Sequence, residues 1–236
     1  MKNGVTAGQQ HLPGWRAGLI CLLLVPLAAP LDRLTSGLFW HADGGFFLRD
    51  RWPLQLVYHG TRWAMGTLEL TLLLTLIAAH LLPRLRKARA QLWFAVLALA
   101  LGPGLITHTL LKDHWGRPRP SQIADFGGSD SYVPPWQPSA QCDHNCSFPS
   151  GHAVAGFYLI TGAWLWPQRR RRWLLAGIAA GGVIGLVRIM QGGHFLSDVL
   201  AALAVVWLSN ALLYRWMSGR GWLRRPARSP TQNAVQ

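Results

Sequence analysis

Three short clusters hold the residues whose types and spacing could do chemistry. They are Lys112-Asp-His-Trp-Gly-Arg-Pro-Arg119-Pro120, Phe148-Pro149-Ser150-Gly151-His152 and Arg188-Ile-Met-Gln-Gly-Gly-His194-Phe-Leu-Ser-Asp198. In the second, Pro149-Ser150-Gly151 reads as a turn into a helix with Ser150 as N-cap. The capping-box position is Ala153, so no acid competes for the free N–H groups at this helix start. Free N–H groups at the positive end of a helix dipole suit an anion, above all a phosphate. His152 falls in that first turn, placed to give a proton to a leaving group. In the third cluster, His194 and Asp198 share a helix face. The carboxylate can accept from the ring Nδ1–H and leave Nε2 aimed at an incoming group, as covalent catalysis requires. Taken alone, the His-x3-Asp pair reads as readily as a structural contact.

Lys112, Arg119 and Arg188 would make the multi-point, partly bidentate cradle that a phosphate dianion needs. The chain has only three lysines against twenty arginines, so a Lys at position 112 stands out. Each cation taken singly reads equally well as an interfacial anchor. The competing metal reading needs several bridging carboxylates, whereas Asp198 is the one acid of its cluster. No Gly-rich Lys-Ser/Thr phosphate loop occurs. A site without metal or cofactor is therefore expected.

Long apolar runs must position these clusters. Half of the 236 residues are hydrophobic, 13 are Trp, and the net charge is +14. Such basicity in a soluble domain would point to nucleic acid. Here the basic residues punctuate apolar stretches, which speaks for membrane topology and against a nucleic-acid partner. The mean hydropathy of +0.18 is held down by polar connectors. Residues 1–16 read as a polar cytoplasmic segment. The first apolar run, 18–31, is either a retained span or a signal peptide; Leu27, third before a cut after Ala29, argues for the span. Residues 32–59, with aromatics among charges, read as an interfacial stretch. Further spans are predicted at 63–82, 92–111, 152–166, 173–190 and 194–216, followed by a basic, disordered cytoplasmic tail over 217–236. Glu69 in the second span is either a functional acid paired with Arg62 or a structural hydrogen-bonding group. Gly102-Pro103-Gly104 should kink the third span, and small residues in the fifth should allow close helix packing. The loop from Asp113 to Pro149 is too long for a mere connector. Within it, Cys142 and Cys146 flank His144. A disulfide, a Cys/His metal site and two free thiols are all open readings, and Cys21 reads as packing.

The result is an all-α polytopic membrane bundle of about six spans, with a single domain over 17–216. Its orientation follows from basic residues: fifteen lie in the N-terminus, the 83–90 and 168–172 loops and the tail, against eight on the other side. The positive-inside rule places the fifteen in the cytoplasm. All three clusters, and the long loop between spans three and four, then lie outside the cytoplasm.

In order and spacing, Lys112-x6-Arg119-Pro120, Pro149-Ser150-Gly151-His152 and Arg188-x5-His194-x3-Asp198 resemble the signature of the type 2 phosphatidic acid phosphatase family. The surrounding spans are similar to its six-helix integral membrane branch. The resemblance implies a metal-independent phosphomonoesterase or diphosphatase acting on a lipid phosphate at the plasma membrane. It implies attack by His194 through a phosphohistidine, orientation by Asp198 and protonation of the leaving oxygen by His152. Lys112, Arg119, Arg188, Ser150 and the Gly151 backbone would hold the phosphoryl oxygens. One position departs: the family commonly has Ser before the third-cluster Arg, and here it is Val187, which removes one hydroxyl contact. The run Cys142-x2-Asn145-Cys146-Ser147-Phe148 resembles family members acting on lipid A. Undecaprenyl pyrophosphate, phosphatidylglycerol phosphate and phosphatidic acid are the other lipid substrates the resemblance admits. A non-catalytic phospholipid binder or transporter would need only the cations, not the two histidines. The family also resembles vanadium haloperoxidases, but six spans and an interfacial site favour a lipid over a halide.

Overall fold

The computed structural model describes residues 14–223. The expectations for residues 1–13 and for residues 224–236 fall outside the described residues, while the disordered tail expected from 217 does not begin there: the last helix runs to Gly219 and Leu223 is buried. The described chain is a helical bundle whose only sheet is a two-residue hairpin. Five helices are long and apolar enough to cross a membrane, as a multi-pass membrane protein requires.

Helix α1 runs from Trp15 to Gly37, straight through Pro26 and Pro30, and so outlasts the run read from sequence by six residues. Prolines are tolerated inside membrane helices when neighbouring groups take up the freed carbonyls. Residues 32–59 are correspondingly not one interfacial stretch. They divide among the end of α1, the hairpin β1 (Trp40–His41) and β2 (Gly45–Phe46), and the first turns of α2 (Trp52–Leu81). The second span is therefore longer than its apolar core, with Pro53 in its first turn, where no N–H partner is lost. Trp63, Leu70, Leu73, Leu74 and Ile77 of α2 are exposed, as lipid-facing side chains are.

Arg84, Arg86 and Lys87 sit in a short 3-10 turn before α3 (Arg89–Leu99). Pro103 does not end the third span. The helix carries on from Ala100 to Lys112 in wider π-type turns, one way of absorbing a proline that cannot donate an N–H. The fourth span is split into α4 (Gly151–Phe157), a 3-10 stretch (Tyr158–Thr161) and α5 (Gly162–Leu165). At about 1.5 Å per residue it reaches about 22 Å, short of a bilayer's hydrocarbon core of about 30 Å.

The expected close packing is realised along α6 (Arg170–Met190). Its Gly177, Gly181 and Gly185 form one stripe against Ile160, Phe157 and Val199. A Cβ on Gly156 would lie 2.6 Å from the Cα of Gly181, so both backbones can touch only as glycines. Helix α7 (Leu196–Gly219) is the most enclosed of the long helices. Its pairing with α1 is the most extensive in the bundle, and Trp207 Nε1 donates to Gly14 O at 3.1 Å. Helix α1 is thus a member of the packed bundle and continues unbroken across Ala29.

Candidate active site

The helices alternate in direction, and this brings the three clusters to one end of the bundle. The ends of α1 and α6, the starts of α2, α4 and α7, and the π-type turns at Lys112 all meet there. The Arg-rich segments at 84–89 and 169–172 lie at the other helix ends. Backbone hydrogen bonds knit the clusters together. Ser147 N donates to Arg117 O at 2.9 Å, Ser150 N to Asp198 O at 3.1 Å and Ser121 N to Gly192 O at 3.1 Å. The long loop carries a Cys142–Cys146 disulfide that ties a short turn within it, which selects that reading over a metal site or free thiols.

Ser150 is the N-cap of α4 as its sequence context suggests, accepting from Ala153 N at 3.4 Å. A Cβ on Gly151 would lie 3.1 Å from His108 and 3.2 Å from the Lys112 side chain, so glycine lets both approach the helix start. Lys112 Nζ donates to Asn145 Oδ1 at 2.8 Å and Cys146 O at 3.1 Å. An Arg119 guanidinium nitrogen donates to Asn145 O, and burial lowers the pKa of that side chain. Arg188 donates to Gln191 Oε1 and lies 4.7 Å above the Tyr58 ring. Its Nε is buried without a hydrogen bond inside the protein, as is Nε2 of His152.

The His194–Asp198 arrangement differs from the sequence expectation. His194 Nδ1 lies 2.7 Å from the Ser147 carbonyl oxygen but 3.7 Å from Asp198 Oδ2, beyond a hydrogen bond. A carbonyl only accepts, so Nδ1 carries the proton and Nε2 keeps its lone pair. The chemical consequence expected of Asp198 is reached through a backbone carbonyl. Asp198 instead accepts from Phe195 N at 2.8 Å, from the Ser147 hydroxyl and from Arg117. It braces both segments around the ring.

Five participants, Arg117, Asp32, Tyr132, Tyr58 and Arg49, were not singled out from sequence. Arg117 is fully buried, and it also donates to Val133 O at 2.8 Å, Ser197 Oγ at 2.9 Å and Asp32 Oδ2 at 2.7 Å. Burial alone would lower its pKa, but the carboxylates of Asp198 and Asp32 reverse that and raise it. Tyr132, hydrogen-bonded to Asp32, has its pKa raised, mainly by burial. Tyr58 stacks on His152 with ring centres 4.6 Å apart, holding the imidazole from α2. Arg49 lines a polar cavity of about 210 Å³ together with Tyr58, Arg119 and Arg188.

Such a site, with a free imidazole nitrogen, a second histidine, and three buried or partly buried cations, is suited to moving a phosphoryl group. The PAP2 superfamily profile matches residues 91–222, which hold all three clusters. The chain belongs to the PAP2 superfamily. Among curated relatives, the lipid A 4′-phosphatase of Francisella tularensis subsp. novicida (strain U112) is 41% identical over 133 residues, covering 56% of this chain and 60% of that protein. The lipid A 4′-phosphatase of Rhizobium etli is 36% identical over 118 residues, 50% of this chain and 44% of that one. A lipid A 1-phosphatase of Rhizobium johnstonii is 38% identical over 110 residues, 45% of this chain and 40% of that protein. The matches thus span about half the length of these relatives. No solved structure matches. Asp32, Arg49 and Tyr58 lie before the PAP2 match begins.

Glu69 corrects another expectation. Its side chain is exposed and, among the described residues, makes no ion pair with Arg62. It lines an apolar groove of about 340 Å³ that runs between α2 and the third span to His108 and Gly151. Glu69→Gln is therefore expected to change stability by no more than about 0.5 kcal/mol, the usual scale for exposed positions. Thermal unfolding in detergent checks this, and a loss well above that value would restore the buried ion pair.

Proposed function

We propose that this protein is a membrane-embedded, metal-independent phosphatase acting on the phosphorylated head group of a lipid, with lipid A as the first candidate substrate. The carrying observation is the meeting of His194 Nε2, His152 and the cations Lys112, Arg119 and Arg188 at one end of a bundle in a PAP2 superfamily chain. The names of the curated relatives favour lipid A, and its 4′-phosphate first, over the other lipid phosphates.

In this reading His194 Nε2 attacks phosphorus, and an N–P bond forms as the P–O bond to the lipid breaks. His152 gives its proton to the departing oxygen. Water then attacks the phosphohistidine, the N–P bond breaks, and the water proton passes to His152, which is ready again as inorganic phosphate leaves. The Arg188 Nε and the α4 N-terminus, with Ser150 and Gly151, supply donors to the phosphoryl oxygens as charge builds on them. The site faces the periplasm or exterior from the inner membrane. The positive-inside count supports this, and the loop disulfide suits an oxidising compartment.

Phosphate release from lipid A, undecaprenyl pyrophosphate, phosphatidylglycerol phosphate and phosphatidic acid tests the reading, with mass spectrometry locating the phosphate lost. Turnover is expected on lipid A and unchanged in EDTA. Release from none of the four, or an EDTA loss restored by a divalent ion, would overturn it.

A further inference from the structure

We propose that Asp32, on the first helix, is a positioning residue for the His194 nucleophile, setting the charge behind it through Arg117. This rests on the phosphohistidine reading above. The observation is a buried chain of charges reaching from α1 to His194. Asp32 is completely buried, as are Arg117, Ser197 and Asp198. Its Oδ2 accepts from Arg117 at 2.7 Å, from the Ser197 hydroxyl at 2.6 Å and from the Tyr132 hydroxyl at 3.1 Å. Its Oδ1 accepts from Ser197 N at 2.8 Å, so a carboxylate from α1 caps the start of α7. Arg117 then bridges Asp32 to Asp198, which braces the two segments flanking the His194 ring.

Counting charges shows what the second carboxylate does. Asp198 and Arg117 alone would cancel, and a neutral pair does little for a developing cation. With Asp32 the group carries one net negative charge beside a neutral His194. When Nε2 gives its lone pair to phosphorus, the ring becomes cationic while Nδ1–H still donates to the Ser147 carbonyl. The buried group is then balanced, with no further proton or ion required. The nearby cations Lys112 and Arg188 act on His194 in the opposite sense. A fixed negative charge in a water-poor site is the preorganised kind of stabilisation that needs no rearrangement during reaction. Asp32 touches neither substrate nor the reacting nitrogen, and acts through Arg117 and Asp198.

The test compares three forms of the full chain in detergent, with wild-type turnover on its lipid as reference. Asp32→Asn keeps the shape and the Oδ1 cap but removes the charge. Its kcat is expected to fall about 10–100-fold, the scale found when partners behind metal-ligating histidines are removed, with KM within about twofold. The double variant Asp32→Asn/Arg117→Met restores the single net negative charge and is expected to regain part of the lost kcat. A purely structural tie would make the double variant worse than the single one. Unchanged kcat in Asp32→Asn, no regain in the double variant, or failure of both to fold would overturn the inference. Absence of turnover in the wild type would instead overturn the phosphatase reading itself.

Discussion

His194→Ala is expected to abolish phosphate release on every substrate while phospholipid binding survives, because Lys112, Arg119 and Arg188 remain. His152→Ala should behave differently. It removes the proton donor to the leaving oxygen, worth about 10²–10⁴-fold, but leaves the attacking nitrogen and its Ser147 partner in place. A substrate with a good leaving group, such as a nitrophenyl phosphate, needs little protonation as it departs. It should recover much of the rate in His152→Ala and none in His194→Ala. Acid quench of the wild-type enzyme during turnover should trap an acid-labile phosphoprotein that His194→Ala lacks. If both variants respond equally to the leaving group and no phosphoprotein forms, water attacks directly and His194 reverts to holding the loop.

The parts of this site that sequence reveals are those set by local rules. Ser150 caps α4 because a short polar side chain after Pro149 has few better partners than the free N–H groups ahead of it. The alternation of apolar runs and basic loops predicts which helix ends meet, and the three clusters meet there. What sequence hides is set by tertiary contact. Pro26 and Pro30 suggest that the first span stops at Leu31, so Asp32 looks like the start of an interfacial segment; packing on α7 carries α1 on to Gly37. Had the span been drawn through position 32, the rule that flagged Glu69 as an intramembrane acid would have flagged Asp32 too. Arg117 and Arg119 differ in sequence only by one residue around Pro118, yet one is a sealed structural cation and the other lines the cavity. The Lys112-x6-Arg119 spacing singles out Arg119, but it gives no hint that Arg117 is buried against two carboxylates. The four-residue gap from His194 to Asp198 suggests one helix face, but α7 starts only at Leu196, so His194 lies ahead of the helix and the loop carbonyl of Ser147 reaches its ring. The fourth span, split by a 3-10 stretch, packs along α6 through contacts that no local pattern encodes.

Gly193→Ala is expected to cost about 10²–10³-fold in kcat/KM, the scale for losing one preorganised donor to a developing anion, with little change in stability. A Cβ at position 193 would stand 2.2 Å from an Arg188 terminal nitrogen and 2.7 Å from its Cζ. The obstacle is the end of a side chain, so the backbone can keep its path while the guanidinium swings away from Gln191 and the Tyr58 ring. Adding a Cβ also narrows the unfolded ensemble, which favours the folded chain by about 0.4–1 kcal/mol where the backbone is compatible. The expected signature is therefore an unchanged or slightly raised melting temperature with a large loss of rate. Gly182→Ala on α6 is the control, since a Cβ there meets nothing within 4 Å; it should keep full activity. Arg188→Ala should lose a similar amount. If Gly193 acts only by leaving room for that guanidinium, the double variant should be no worse than the poorer single one, because both changes remove the same contact. Additive losses would show that Gly193 serves the site in another way, through the turn that presents His194.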